Sequence, residues 1–207
     1  MSPSAASPAL PYVALGDSYT IGTAVPIAER WPDRLVARLA ASARPLELVA
    51  NLGVDGFTSA DVIRDELPRL DDLHPEFASV LVGVNDVVQG VPAPAFRANA
   101  EHILDVLRSR LPVRRILVVS TPDYTVTPAG AGYGDPDERA RGIRRNNEIL
   151  ASLARGHGIE FVDVHDISLR AADDRSLVAT DGLHPSGRQY GLWVDRIEPV
   201  VVRLLAG

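Results

Sequence analysis

The sequence predicts an α/β fold, a parallel sheet covered by helices on both faces in a three-layer α/β/α sandwich, and three observations lead there. Short apolar runs rich in β-branched residues alternate with longer runs whose apolar residues recur at helical spacing, the pattern of successive βα units. Parallel strands need right-handed crossovers, which place helices on both faces of the sheet. A length of 207 residues suits one substantial core and is short for two. Residues 12–207 therefore read as a single domain, preceded by a flexible Ser-, Ala- and Pro-rich tail over 1–11.

In chain order, the β-branched runs predict strands at 12–15, 46–52, 79–82, 116–119 and 159–164, and the amphipathic runs predict helices at 31–41, 59–67, 94–110, 137–155 and 186–205. In the 94–110 segment, Phe96, Ala100, Ile103, Leu104 and Leu107 fall on one face. Thr58 with Asp61 is an N-cap followed by an acid in the first turn, and Asp137 with Glu138 marks a second helix start. Ligand sites in such sheets lie beyond the carboxyl ends of the strands.

Composition removes several function classes. The 21 basic residues are all arginine, so no lysine is present for a Schiff base or a P-loop. Cysteine is absent, and with it go thiol nucleophiles, thiolate metal sites and disulfides. Net charge is -6 and the arginines are scattered, so nucleic acid is not an expected partner. No apolar run approaches the ~20 residues of a membrane span. The N-terminal stretch lacks the charged and apolar regions of a secretory signal, which leaves a cytoplasmic protein or a secreted one whose signal has been removed.

Four motifs sit where the strand ends are expected. Gly16-Asp17-Ser18-Tyr19 puts a hydroxyl at the carboxyl edge of the first strand. After the second strand come Asn51-Leu52-Gly53 and Val54-Asp55-Gly56, where a glycine lets a backbone N–H approach a substrate oxygen. Gly83-Val84-Asn85-Asp86 sets an uncharged amide donor beyond the third. Asp181-Gly182-Leu183-His184-Pro185 places a carboxylate three residues from an imidazole, and Pro185 keeps His184 out of the helical region. Each motif alone is ordinary turn chemistry. Together they supply a nucleophile, its base, an orienter for that base and oxyanion donors, which are the parts of acyl transfer.

On these blocks the chain resembles the SGNH, or GDSL-type, esterases and lipases from Tyr12 to about Tyr190. The resemblance implies Ser18 as nucleophile, His184 as base and Asp181 as its orienter. It also implies an oxyanion hole from the Ser18 N–H, the Gly53 N–H and the Asn85 side chain, and a flavodoxin-like sheet of order 2-1-3-4-5. Tyr19 stands where the family's nickname has leucine, which bears on the packing under Ser18. The expected activity is hydrolysis of short-chain carboxylic esters through an acyl-enzyme, without a cofactor. A thioesterase, a lysophospholipase or a carbohydrate O-acetylesterase would use the same machinery. Asp163, His165, Asp166, Asp181 and His184 could be assembled into a metal site for phosphoester chemistry, but His165 and Asp166 are equally well explained as polar residues leaving the fifth strand. Asp17 and Asp86 are expected to fix loops. Residues 19–30, 86–95, 121–136 and 165–180 are expected to form the pocket walls.

Overall fold

The computed structural model describes residues 8–206 and contains a five-stranded sheet of order β2-β1-β3-β4-β5, parallel throughout. The strands are β1 (Leu10–Gly16), β2 (Leu46–Asn51), β3 (Phe77–Leu81), β4 (Ile116–Val119) and β5 (Glu160–Val162). Among the described residues nine α-helical segments accompany them: α1 (Ser18–Ile21), α2 (Trp31–Leu39), α3 (Ser59–Asp61), α4 (Leu70–Leu73), α5 (Val84–Val88), α6 (Ala93–Arg110), α7 (Pro136–His157), α8 (His165–Leu169) and α9 (Gly187–Ala206). The order is the one the family resemblance implied, and all five strands lie where hydrophobic patterning put them, with ends that shift.

Of the tail expected over 1–11, residues 1–7 lie outside the described residues, while Leu10 and Pro11 belong to β1, where Leu10 pairs with Leu46. Pro11 lacks an N–H, but its carbonyl accepts the Glu76 N–H at 2.8 Å, so it still ties the strand to its neighbour. β5, an edge strand paired only with β4, is shorter than expected.

Side chains alternate across the sheet. Tyr12, Ala14, Leu117 and Val119 pack on one face with Trp31 and Leu35 of α2 and Trp193 and Ile197 of α9. Val13, Leu15, Val80 and Val118 pack on the other with Phe96 and Ile103 of α6 and Leu150 and Leu153 of α7. All five apolar residues expected on one face of the 94–110 helix are at most 1% exposed, so that face is the buried one.

The helix expected over 59–67 departs from regularity. Thr58 and Asp61 form the capping box, but α3 passes into a π-helical turn, Val62–Glu66, and a 3₁₀ turn, Leu67–Arg69, before α4. Pro68 can donate no helical hydrogen bond, which accounts for the break. The π-turn brings Glu66 beneath the sheet edge, 2% exposed, with Oε2 accepting the Gly16 N–H at 2.9 Å. Among the described residues no helix is long and apolar enough to cross a membrane.

Candidate active site

β1 ends on Gly16 at φ +148°, and a Cβ there would lie 2.0 Å from the Leu81 carbonyl oxygen of β3, so only glycine fits. Asp17 follows in extended conformation as the N-cap of α1, its Oδ1 accepting the Tyr19 N–H at 3.0 Å. The Asp17 carbonyl accepts from Thr20 and Ile21, and Gly22 in the left-handed region closes the turn through its N–H to the Ser18 carbonyl. Ser18 thus opens a single helical turn held from both ends. Its own N–H has no partner among the described residues.

Asn85 sits at the start of α5, behind Gly83 at φ +130°. One N–H of its amide donates to the Phe57 carbonyl at 3.0 Å, which fixes the group and leaves the second N–H free. The two glycines after β2 have separate positions. Gly53 packs under the Ser18 turn, where a Cβ would meet the Asp17 carbonyl oxygen and the Ile21 nitrogen at 2.7 Å, and its N–H donates to Asn51 Oδ1 at 3.2 Å. It does not line the cavity beside Ser18. Gly56 does, in the third position of a turn closed by the Phe57 N–H to the Val54 carbonyl, with φ +81° as such a turn requires. Its N–H has no partner among the described residues.

Asp181 and His184 lie in a tight reversal before α9. An antiparallel bridge joins Val178 to Pro185, and the Ala179 N–H bonds the His184 carbonyl at 2.8 Å. Asp181 Oδ1 accepts the N–H groups of Leu183 at 2.9 Å and His184 at 3.0 Å, while Oδ2 meets His184 Nδ1 at 2.6 Å. Burial pushes the Asp181 carboxyl upward, but the His184 ring and these two backbone N–H groups outweigh it and hold the group below the usual carboxylate range. With Nδ1 engaged, Nε2 is the free ring nitrogen. The buried Tyr19 ring packs against the imidazole with centroids 5.5 Å apart, which gives the tyrosine in the leucine position its role. No hydrogen bond joins Ser18 to His184 here, and catalytic contacts of this kind often tighten only with substrate.

Ser18 and His184 face a common cavity of about 250 Å³, with Asn85, Gly56, Val88 and Tyr124 also in its wall. The expected wall segments 19–30, 86–95 and 121–136 contribute Tyr19, Val88, and Tyr124 with Tyr133. Segment 165–180 contributes nothing; the β2–α3 loop takes its place with Asp55 and Gly56. Below the cavity floor lie three buried carboxyls. Asp17 is pushed up to about 8 by complete burial, against the Tyr19 N–H it accepts. Burial raises Glu66 to about 9 despite the Gly16 N–H. Asp86 is raised by burial against its bonds from Ser59, whose N–H and hydroxyl it accepts at 2.9 and 2.5 Å. Asp17 and Asp86 thus fix the loops around Ser18 and Asn85.

Among the described residues no three of the candidate ligand types gather closely enough to hold a metal. Asp163 accepts from Ser120 at 2.8 Å, Asp166 pairs with Arg196, and the His165 ring lies 3.6 Å from Asp123.

A parallel α/β/α sheet with a serine, an imidazole–carboxylate pair and unpaired amide donors around one cavity is the arrangement of an ester hydrolase. Residues 14–192 match the GDSL-like Lipase/Acylhydrolase family, and the chain belongs to that family of carboxylic ester hydrolases. A GDSL lipase of Mycobacterium tuberculosis is 27% identical over 208 residues, covering 95% of this chain and 84% of that protein. An arylesterase of Vibrio mimicus is 29% identical over 95 residues, 45% of this chain and 46% of its own length. Among solved structures, a family 3 carbohydrate esterase of Clostridium thermocellum matches with a TM-score of 0.75 at 16% identity, covering 97% of this chain and 100% of that one. An acetylxylan esterase of Geobacillus stearothermophilus gives 0.73 at 16% identity, with coverages of 93% and 94%. At such identities the likeness is one of fold.

Proposed function

We propose that this protein is a serine esterase that hydrolyses short-chain carboxylic esters through a covalent acyl-enzyme. The observation that carries the reading is the Asp181–His184 pair at 2.6 Å opening onto the same cavity as Ser18. Ser18 Oγ attacks the ester carbonyl carbon while His184 Nε2 takes its proton, and the imidazolium that forms is stabilised by Asp181. The carbonyl oxygen becomes an oxyanion held by the Ser18 N–H, the free N–H of Asn85 and a glycine N–H. That last donor is assigned to Gly56 rather than Gly53, because the Gly53 N–H already serves Asn51. The tetrahedral adduct collapses, the alcohol leaves with the proton from Nε2, and water then attacks the acyl-enzyme by the same route.

Short acyl groups are favoured by the size of the cavity. About 250 Å³ lies below the ~300–1,000 Å³ of sites for drug-sized ligands. Of the scattered large apolar residues in the loops beyond the strand ends, Val88 and Tyr124 line it, whereas Ile21, Val25, Val87 and Val91 do not. Each methylene beyond the wall forgoes about 0.8 kcal/mol of burial. On a p-nitrophenyl ester series, kcat/KM should peak between acetyl and hexanoyl, and Ser18→Ala should abolish both turnover and fluorophosphonate labelling with the melting temperature preserved. A maximum at dodecanoyl, measured below the micelle concentration, overturns the chain-length reading. Wild-type turnover by Ser18→Ala overturns the mechanism.

A further inference from the structure

We infer that the cavity wall formed by Asp55, Tyr124 and Tyr133 selects esters whose alcohol portion carries an alkylammonium group, a reading that rests on Ser18 as the nucleophile of that cavity. Asp55 is the one residue with a carboxylate or guanidinium in the wall. It is exposed and makes no ion pair among the described residues, although most of the ion-paired acids of this chain face an arginine. Its Oδ1 is anchored by the Thr23 hydroxyl from the loop after α1, and Oδ2 has no protein partner among the described residues.

The anchoring loop is itself strained. Ala24 sits at φ +66°, a region that costs a residue with a Cβ about 1–2 kcal/mol, in a turn closed by the Val25 N–H to the Gly22 carbonyl at 3.3 Å. That turn presents Thr23 to Asp55. Strain of this sort persists where the surroundings over-determine a conformation, and here it fixes the orientation of the carboxylate.

The aromatic component stands in the same wall. Tyr124 and Tyr133 form an edge-to-face pair with centroids 5.7 Å apart and an interplanar angle of 71°, and Tyr133 is 44% exposed. A carboxylate and aromatic rings lining one cavity, with no arginine in the lining, supply the groups that bind quaternary ammonium. The Arg139 guanidinium flanks this wall but does not line it; it donates to the Tyr133 carbonyl at 3.1 Å and to the Val87 carbonyl at 2.5 Å. Asp55 is solvent-exposed as well as part of the cavity lining, which suits the part of the ester that departs to solvent. An anionic leaving group would meet the carboxylate with no cation in the wall to offset it.

The test compares 2-(trimethylammonio)ethyl acetate with its neutral isostere 3,3-dimethylbutyl acetate, which share acyl group and shape. At low ionic strength the wild type should prefer the cation in kcat/KM by about tenfold, and the preference should shrink with salt. Asp55→Asn should bring the ratio close to one, and Tyr133→Leu should lower it about two- to fivefold. Equal kcat/KM for the two esters in the wild type, or a preference that Asp55→Asn leaves intact, overturns the cation site while ester hydrolysis stands. Calorimetric titration of the Ser18→Ala protein with n-butyltrimethylammonium separates the two readings. Binding that needs Asp55, in a protein whose wild type cleaves neither ester, would sink the esterase reading and keep the site.

Discussion

Replacing Asp181 by asparagine tests the base and its orienter together, because the hydrogen bonds around the carboxylate dictate how an amide must sit. Oδ1 accepts two backbone N–H groups, from Leu183 and His184, and Oδ2 accepts from the ring. An amide has one acceptor oxygen and one donor nitrogen. With the nitrogen toward the backbone, donor would face donor twice, so the amide oxygen stays there and the nitrogen points at His184 Nδ1. That ring nitrogen must then accept, its proton moves to Nε2, and the nitrogen that should take the Ser18 proton already carries one. The same exchange in a serine-protease triad costs about 10⁴ in kcat with the geometry intact. For this protein we expect a loss of about 10³–10⁴, or roughly 4–5 kcal/mol on the barrier, with KM changed much less. Melting should stay close to wild type, since both backbone bonds survive. The assay is steady-state hydrolysis of p-nitrophenyl butyrate by protein quantified from its ultraviolet absorbance, alongside a thermal melt. A kcat within tenfold of wild type, in protein that melts normally, would refute the role given to the Asp181–His184 pair.

Asn85→Ala should lower kcat by about 10²–10³ with little change in KM; an effect mainly on KM would make Asn85 a ground-state contact. Gly53→Ala drives a Cβ to 2.7 Å from the Ser18 turn and should cost about 1–3 kcal/mol, some 2–9 °C in melting temperature for a chain of this size. Gly56→Ala, with open space but φ +81°, should cost about 1–2 kcal/mol; wild-type melting of Gly53→Ala would contradict the packing described for it. Asp17 and Glu66 are raised to about 8 and about 9, whereas an unfolded chain loses these protons near pH 4. Across that window the folded state binds more protons, so their contribution to stability falls as pH rises from about 4 to about 9. Melting temperature should therefore decline between pH 5 and 9, and Glu66→Gln should flatten the decline; a slope unchanged in Glu66→Gln would show that Glu66 does not titrate in this window.

The sheet was legible because buried parallel strands are apolar on both faces: Val13 and Val118 pack one way while Tyr12 and Leu117 pack the other, so each strand reads as a short continuous run. The four motifs were legible because each follows a strand end or precedes a helix. Less visible was the choice between Gly53 and Gly56. Both follow β2, and only the fold reveals that the first lies under the Ser18 turn and the second against the cavity. Glu66 was hidden for a related reason. Its position in a helical run gives no sign of the π-turn that carries it to Gly16, because that register is decided by packing. Asp55 and Tyr133 reach one cavity from separate loops, and no periodicity links them.

Packing of α2 against α9 has a consequence for when catalysis can begin. Arg38 of α2 reaches Asp195 and Glu198 of α9, and Trp31 and Trp193 share one side of the core. The turn bearing Asp181 and His184 runs directly into α9, so on the proposed mechanism the base sits at the entrance to the last helix. During synthesis at about 5–20 residues per second, Ser18 emerges long before His184 exists. On the proposed mechanism a nascent chain therefore presents the nucleophile without its base, and hydrolysis must wait for the segment that carries His184. Any lesion that loosens α9 should extinguish activity well before it melts the sheet.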